Sequence, residues 1–181
     1  MSDLTEKALD SNIIYRGRIL NLRVDTVQLP DGRTGKREIV EHSGAVIIIP
    51  VNQDGQLLLV RQYRYAIGRS TLEAPAGNIE PGEDLESAAR RELQEETGYK
   101  AKELTRLCSF FSTPGFCSEE LHIFFASNLT LLEQNLDDDE FVEVFPVPWE
   151  EAIKMIWLGE ICDAASVAGI LAVDSHMKNR I

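Results

Sequence analysis

Several residue types are scarce in this chain, and each scarcity excludes a class of protein. Its 181 residues include three cysteines and three histidines. Cys108, Cys117 and Cys162 lack the paired spacing of a zinc site. An odd number of cysteines without a disulfide framework fits a reducing compartment, so we expect a cytoplasmic protein.

Long hydrophobic runs are missing as well. The longest, residues 45–51, is far short of the roughly 20 residues that cross a bilayer. Residues 1–12 contain no apolar segment of the kind that signal peptides carry. We therefore expect no membrane partner.

Positive charge is the third shortage. The chain has 18 Lys and Arg residues against 30 Asp and Glu residues, which gives a formal net charge of -12. Such a surface repels phosphate backbones, so nucleic acid is not an expected partner. An anionic substrate would need a divalent cation between itself and the protein.

The apolar residues that are present make up 44% of the chain, enough to close a hydrophobic core. Their spacing predicts short N-terminal strands with a bulge near Val27, and then a buried strand over 45–51 that forms a hairpin with 56–63. The predicted strands outside this hairpin cover residues 14–18, 22–29, 36–41, 107–111 and 121–127. The acidic run 137–140 is expected to be a solvated loop.

Three helices are predicted by caps and by apolar spacing. The first covers 83–97, with acidic residues in its first turn and Gly98 as its left-handed cap. The others cover 149–158 and 164–177. This order of strands and helices indicates an α+β fold.

The most informative segment is Gly77–Tyr99, with the sequence GNIEPGEDLESAARRELQEETGY. Glu92, Glu95 and Glu96 share one face of the predicted helix, where like charges repel by roughly 0.2–0.5 kcal/mol per pair. The sequence shows no cationic partner for Glu92 and Glu96 on that face. Hard oxygen ligands on one rigid element suit Mg²⁺ or Mn²⁺, and Arg91 can orient Glu95. The ordinary alternative is an acidic, solvated helix face.

The surrounding spacing favours the metal interpretation. The segment fits G-x5-E-x7-R-E-U-x-E-E-x-G-U, where U is a bulky apolar residue. Seven exact letters at about 7% frequency each recur by chance in roughly one position in 10⁸. The segment thus resembles the Nudix box, the signature of the Nudix hydrolases. Tyr99 departs mildly from the pattern, because an aliphatic residue is commoner there.

The resemblance implies a Nudix α/β/α sandwich in residues 43–181, with the box as a loop, a helix and a loop. Residues 1–42 would form a small N-terminal antiparallel β-sheet region. Nudix enzymes hydrolyse a nucleoside diphosphate linked to another moiety, using Mg²⁺ or Mn²⁺. The implied metal ligands are Glu92, Glu95, Glu96 and the Ala76 carbonyl, which Gly77 would present by letting the backbone turn. Glu83 would form hydrogen bonds within the box or assist a metal.

Segments outside the box resemble the ADP-ribose pyrophosphatases and their nucleoside diphosphate sugar relatives. The loop Thr113–Glu119 (TPGFCSE) is similar to their SPGFSxE loop, and RQYR at 61–64, LEAPAG at 72–77 and KREIVEH at 36–42 are similar to other subfamily segments. The implied substrate is ADP-ribose or a related nucleoside diphosphate sugar, cleaved to a nucleoside monophosphate and a sugar phosphate. The alternatives are another substrate, such as GDP-mannose or ADP-glucose, and a non-catalytic ligand sensor with a Nudix fold.

The same resemblance assigns roles outside the metal ligands. Substrate contacts are expected from Arg37, Arg64, Glu73, Pro114 and Gly115. Arg64 suits bidentate contact with a diphosphate, although a surface arginine ending a strand is its alternative. An exposed strand charge is the alternative for Arg37.

Catalytic roles are expected from Glu119, Glu95 and Arg91, with Glu119 as general base. Glu120 is the neighbouring candidate, and Glu95 or another carboxylate of the box is the alternative if neither acts. In similar enzymes the N-terminal strands swap onto a second subunit. We therefore expect a homodimer, in which Arg37 serves the neighbouring site.

Overall fold

The strands of the first forty residues pair with one another. This computed structural model describes residues 3–136 and 140–179. In it, β1 (Lys7–Arg16), β2 (Leu20–Gln28) and β3 (Thr34–His42) form an antiparallel sheet in the order β1-β2-β3. The predicted N-terminal antiparallel sheet is confirmed, although β1 begins well before residue 14. Most of the predicted solvated loop, residues 137–139, lies outside the described residues.

The chain divides into two compact units, which we describe separately. The first consists of Met1–Gly44 and Phe111–Glu120, and the second of Ala45–Phe110 and Leu121–Ile181. The sheet β1-β2-β3 belongs to the first unit.

Two further sheets and three helices make up the rest of the fold. The four-stranded sheet has the order β7 (Ala76–Asn78), β4 (Ala45–Pro50), β9 (Glu120–Leu131), β8 (Tyr99–Phe111). The three-stranded sheet has the order β10 (Glu143–Pro148), β5 (Gln56–Arg64), β6 (Arg69–Glu73). The helices are α1 (Leu85–Thr97), α2 (Trp149–Leu158) and α3 (Ala164–Asn179). None of the helices, as far as the chain is described, has the length and apolarity needed to span a membrane.

The predicted bulge in β2 is wrong, because the irregularity lies in its partner strand. β2 and β3 pair without a shift of register. In β1 the register shifts between Ala8 and Asp10, where the opposite residues are Val27 and Thr26. The change of phase at Val27 instead marks the buried face that it shares with Asp25.

The predicted hairpin of β4 with β5 is also wrong. β4 pairs parallel with β9 and antiparallel with β7, whereas β5 pairs with β6 and β10 in the other sheet. A single bridge, Val51 to Leu57, links the two strands across their turn. Both strands are apolar on both faces, and that pattern fits a central strand of either sheet.

The four-stranded sheet lies between helices. Because side chains alternate along a strand, Val46 packs into a cluster with Leu93 of α1, and Ile47 packs into a second cluster with Ile170 of α3. The expected α/β/α sandwich is therefore confirmed.

Helix α1 carries its carboxylates on the side that it buries. The Asp84 side chain caps the helix by accepting hydrogen bonds from the backbone N–H groups of Glu86 and Ser87, both at 3.1 Å. Gly98, with φ 72°, ends it as predicted. The buried residues of α1 include Glu92 and Glu96 beside Leu93. The fold thus places two acidic side chains where a helix normally buries apolar ones.

Candidate active site

Strand β7, which precedes α1, lies directly against a carboxylate of the helix. A Cβ atom added to Gly77 would lie 1.9 Å from Cδ of Glu92, so this position has no room for any side chain. Gly77 does not have a positive φ. The structure shows a different need for this glycine, namely that the Cβ be absent, and the expectation that it eases a backbone turn stays a prediction.

Glu96 contacts β7 one residue earlier, at Ala76. Its Oε2 accepts a hydrogen bond from the Ala76 N–H at 2.9 Å, and the residue is 4% exposed. Burial raises the pKa of Glu96 to about 8, and the negative charges of Glu92 and Glu140 act in the same direction. Among the described residues, Glu96 forms no ion pair with a Lys or Arg side chain. A buried carboxylate without a paired cation is costly, so this site favours a bound cation.

Arg91 donates hydrogen bonds to three carboxylates of the segment. Its Nε and Nη2 each donate to Glu83 at 2.9 Å, and Nη1 donates to Glu92 at 2.7 Å and to Glu95 at 3.0 Å. Hydrogen bonding by Arg91 lowers the pKa of Glu83. Burial raises the pKa of Glu92, and Arg91 opposes that effect. The prediction that Glu92 lacks a cationic partner is wrong, because Arg91 is adjacent to it in sequence.

The Ala76 carbonyl lies outside the strand ladder. The ladder between β7 and β4 ends at the pair Ala76 and Ile47, and just beyond it the Ile48 N–H donates to the Pro75 carbonyl at 2.8 Å. Hydrogen-bonded and non-bonded pairs alternate in an antiparallel ladder, so the next pair, Ala76 with Ile47, is a non-bonded one. The Ala76 carbonyl therefore accepts no hydrogen bond in this ladder. It is left available for the metal contact that the sequence predicts.

The oxygen atoms of Glu92, Glu96 and the Ala76 carbonyl suit a divalent cation, although side chains alone do not make up a complete set of ligands. Glu92 and Glu96 both contact the Ala76–Gly77 backbone, and carboxylate and carbonyl oxygens are the ligands that Mg²⁺ and Mn²⁺ prefer. Within residues 3–136 and 140–179, no three Asp, Glu, His or Cys side chains form a group able to hold a metal. Glu95 is partly exposed and paired with Arg91. Glu92, Glu96 and the Ala76 carbonyl are therefore the residues that could hold a metal here.

Two predicted substrate residues contact each other. Arg64 donates from Nε to Glu73 Oε1 at 3.0 Å and from Nη2 to Glu73 Oε2 at 2.5 Å. Thr71 Oγ1 donates to Glu73 at 2.5 Å, and Glu73 is 5% exposed. The Arg64 side chain is 46% exposed. Glu73 thus fixes the orientation of Arg64.

The remaining predicted residues lie in the first unit. Arg37 is held by Glu6, to which its Nε donates at 2.9 Å. Pro114 and Gly115 form an exposed turn in a loop that attaches to β3, where the Val40 N–H donates to the Phe116 carbonyl at 2.8 Å.

Glu119 follows this turn in the first unit. Its Oε1 lies 3.7 Å from Nδ1 of His42, and its side chain is 27% exposed. The structure therefore places Glu119 beside a histidine at the end of β3.

Sequence reasoning missed Glu140. Its negative charge contributes to raising the pKa of both Glu92 and Glu96. It also borders an open cleft of about 460 Å³. The cleft is lined by Arg61, Gln62, Tyr63, Ser70, Leu136, Glu140, Phe141, Val142 and Glu143. The only signal in the sequence is the acidic run, which is typical of solvated loops.

The chain matches two protein-family models and resembles several known proteins. Residues 41–164 match the NUDIX domain family, and residues 6–40 match the nucleoside diphosphate sugar hydrolase N-terminal domain. The chain is 44% identical over 172 residues to an ADP-ribose pyrophosphatase of Bacillus subtilis, covering 94% of this chain and 93% of that protein. It is 41% identical over 167 residues to a methanol dehydrogenase activator of Bacillus methanolicus, covering 91% and 90%. A solved ADP compounds hydrolase superposes with a TM-score of 0.88 at 25% identity, covering 99% of this chain and 98% of that one.

Proposed function

The chain belongs to the Nudix family, and on that premise we propose that it hydrolyses the pyrophosphate bond of ADP-ribose or a related nucleoside diphosphate sugar. The products would be a nucleoside monophosphate and a sugar phosphate. The observation that carries this proposal is the pair of buried carboxylates, Glu92 and Glu96, held against the Ala76–Gly77 backbone. The name of the Bacillus subtilis relative and the match of residues 6–40 support this substrate class.

The proposed cofactor is Mg²⁺ or Mn²⁺. Nudix hydrolases generally need a divalent metal ion, and the candidate ligands are Glu92, Glu96 and the Ala76 carbonyl, with Glu95 as a further carboxylate. A bound cation supplies positive charge that offsets the charge of the diphosphate. The protein supplies Arg91, which fixes the orientation of Glu92 and Glu95 by hydrogen bonds.

Arg64 is the best-supported substrate contact of those predicted. Glu73 occupies its Nε and Nη2, and its Nη1 forms no hydrogen bond to any described residue. A half-exposed guanidinium with a free N–H group is suited to a phosphate oxygen. Arg37, Pro114 and Gly115 remain proposed substrate contacts of the first unit.

Two carboxylates are candidates for the general base. Glu119 occupies the position that matches the glutamate of the subfamily loop, and the charge of Glu140 acts on the pKa of both Glu92 and Glu96. A base must lie within hydrogen-bond reach of the water that it deprotonates, directly or through one further water. We keep Glu119 as the proposed base and Glu140 as its rival.

We also propose a homodimer. All ten residues of β1 are exposed in the single chain, and they include Leu9, Ile13, Ile14 and Tyr15. Exposed apolar side chains in this number fit burial against a second copy. The proposed location is the cytoplasm, which suits the free cysteines.

A panel of nucleoside diphosphate sugars tests the substrate. ADP-ribose, GDP-mannose and ADP-glucose are each incubated with the protein and Mg²⁺, and a coupled phosphatase reports the products. We expect the highest kcat/KM for ADP-ribose. A higher kcat/KM for GDP-mannose or ADP-glucose would make that compound the proposed substrate instead. Binding without turnover of any member of the panel would favour the non-catalytic ligand sensor.

A further inference from the structure

The segment Ala74–Ala76, which leads into β7, is held from two sides by side chains of helices. Pro75 has no N–H group, so this segment has two backbone donors. The Ala76 N–H donates to Glu96 of α1 at 2.9 Å, and the Ala74 N–H donates to Ser166 Oγ of α3 at 2.7 Å. Each donor thus depends on one helix side chain.

Ser166 is itself fixed by the residue that precedes α3. Ser166 is 1% exposed, and its backbone N–H donates to Asp163 Oδ2 at 2.8 Å. Burial raises the pKa of Asp163, and the hydrogen bond from the Ser166 backbone N–H opposes that effect. By accepting this N–H, Asp163 fixes the first turn of α3, and with it the position of the Ser166 hydroxyl that accepts the Ala74 N–H.

We propose that Asp163 and Ser166 are positioning residues for the metal site, acting through the backbone of Ala74. This inference rests on the proposed function, because it assumes that the Ala76 carbonyl is a ligand. The ladder does not hold that carbonyl, so its direction depends on the bonds made by the residues on either side. Glu73, which orients Arg64, directly precedes Ala74 and is positioned by the same contact.

Ser166→Ala removes the acceptor and leaves the Ala74 N–H without its partner. We expect its Kd for Mn²⁺, measured by electron paramagnetic resonance, to rise about tenfold, because outer partners of a metal site commonly have that effect. We expect kcat to fall more than KM changes. Hydrogen exchange at the Ala74 amide, followed by NMR in the metal-free protein, should quicken about tenfold or more.

Two further variants separate positioning from stability. Trp149→Phe removes the hydrogen bond of 3.1 Å from Trp149 Nε1 to Asp174, which joins α2 to α3 and involves neither the Ala74 N–H nor Ser166. This control should keep the Kd for Mn²⁺ and the exchange rate at Ala74. If Ser166→Ala does not fold, Asp163→Asn provides the test, since Asn still accepts the N–H of Ser166 but lacks the charge. It should show the same changes at a smaller magnitude.

The outcomes distinguish this proposal from the proposed function. If the wild-type protein binds Mn²⁺ and hydrolyses its substrate, but Ser166→Ala matches it in Kd and in exchange at Ala74, the positioning role alone is overturned. If the control variant weakens Mn²⁺ binding as much as Ser166→Ala does, the effect is one of general stability and the proposal is wrong. A wild-type protein that binds no Mn²⁺ overturns both proposals.

Discussion

Gly77 and Glu92 are packed so closely that the glycine cannot be replaced without moving the carboxylate. The Cδ and Oε1 atoms of Glu92 would each lie 1.9 Å from a Cβ atom at residue 77. Glu92 is also held by Arg91, at 2.7 Å from its Nη1. This contact joins the loop and the helix of the Nudix box at the proposed metal ligand.

Gly77→Ala should therefore displace Glu92 and weaken metal binding. We expect the Kd for Mn²⁺ to rise by about tenfold or more. Gly35→Ala is the matched control, because a Cβ there would meet its nearest atoms at 3.4 Å and the φ is not positive. Equal Kd values for the wild-type protein and Gly77→Ala would show that Glu92 is not a ligand.

Glu92→Gln and Glu96→Gln should each abolish most turnover and leave the fold intact. Glutamine keeps the size of the side chain and removes the charge, so the loss should be about 100-fold or more at saturating Mg²⁺. Steady-state kinetics and circular dichroism measure the two effects. A near-wild-type rate in either variant would remove that residue from the metal site.

Stability should depend on the ionisation of Glu96. Its pKa is raised from 4.5 to about 8, so between these values the folded state keeps a proton that the unfolded state has lost. The contribution of Glu96 to the free energy of unfolding is thus fully present below about pH 4.5 and is lost as the pH rises through 8. The full shift corresponds to roughly 5 kcal/mol at most.

Glu96→Gln removes this ionisation, so the metal-free variant should become more stable relative to the wild-type protein as the pH rises. Urea unfolding at pH 5 and pH 9 in EDTA measures the difference. Added Mn²⁺ should stabilise the wild-type protein more than the variant. Parallel pH profiles of the two proteins would contradict the raised pKa.

The general base is tested by three matched variants. Glu119→Gln should lower kcat by about 10²- to 10⁴-fold, the usual contribution of a positioned base, and Glu120→Gln should cost much less. Glu140→Gln is the rival. If Glu140→Gln is the more damaging variant, the base lies in the loop before β10; if all three variants stay active, a carboxylate of the box is the base.

The oligomer is tested by light scattering at micromolar concentration. We expect about twice the 20.3 kDa mass of one chain. Ile14→Glu, on the exposed face of β1, should shift the protein towards monomer, whereas Phe145→Glu, on exposed β10, should not. A fully active wild-type monomer would argue against the swapped strands and the role of Arg37.

The sequence predicted those parts of the fold whose determinants are local. Helix α2 has the predicted bounds, and Gly98 ends α1, because caps and apolar spacing act within a few residues. The partners of β4 could not be predicted, since β9 joins it from far along the chain and the apolar stretches of β4 and β5 fit a central strand of either sheet. β10 escaped detection because Pro146 and Pro148 are unfavourable in a strand, and such prolines are tolerated at the edge position that β10 occupies.

The residues of the candidate site likewise divide into those that local sequence predicts and those that only the tertiary structure brings together. The carboxylates of the box could be predicted because their spacing lies on one helix. Glu140 and Ser166 could not, because each reaches the box only through tertiary structure. The hydrogen bond from Arg91 to Glu92 could not be predicted, because adjacent residues of a helix do not normally face each other. Here the long arginine side chain reaches its neighbour.

The most direct test of the central claim is phosphorus NMR of ADP-ribose during incubation with the protein and Mg²⁺. The account predicts that the two diphosphate resonances are replaced by two phosphate monoester resonances, one from each product, and that EDTA or Glu96→Gln stops the change. Diphosphate resonances that persist with Mg²⁺ and with Mn²⁺, for ADP-ribose and for the other nucleoside diphosphate sugars of the panel, would contradict it.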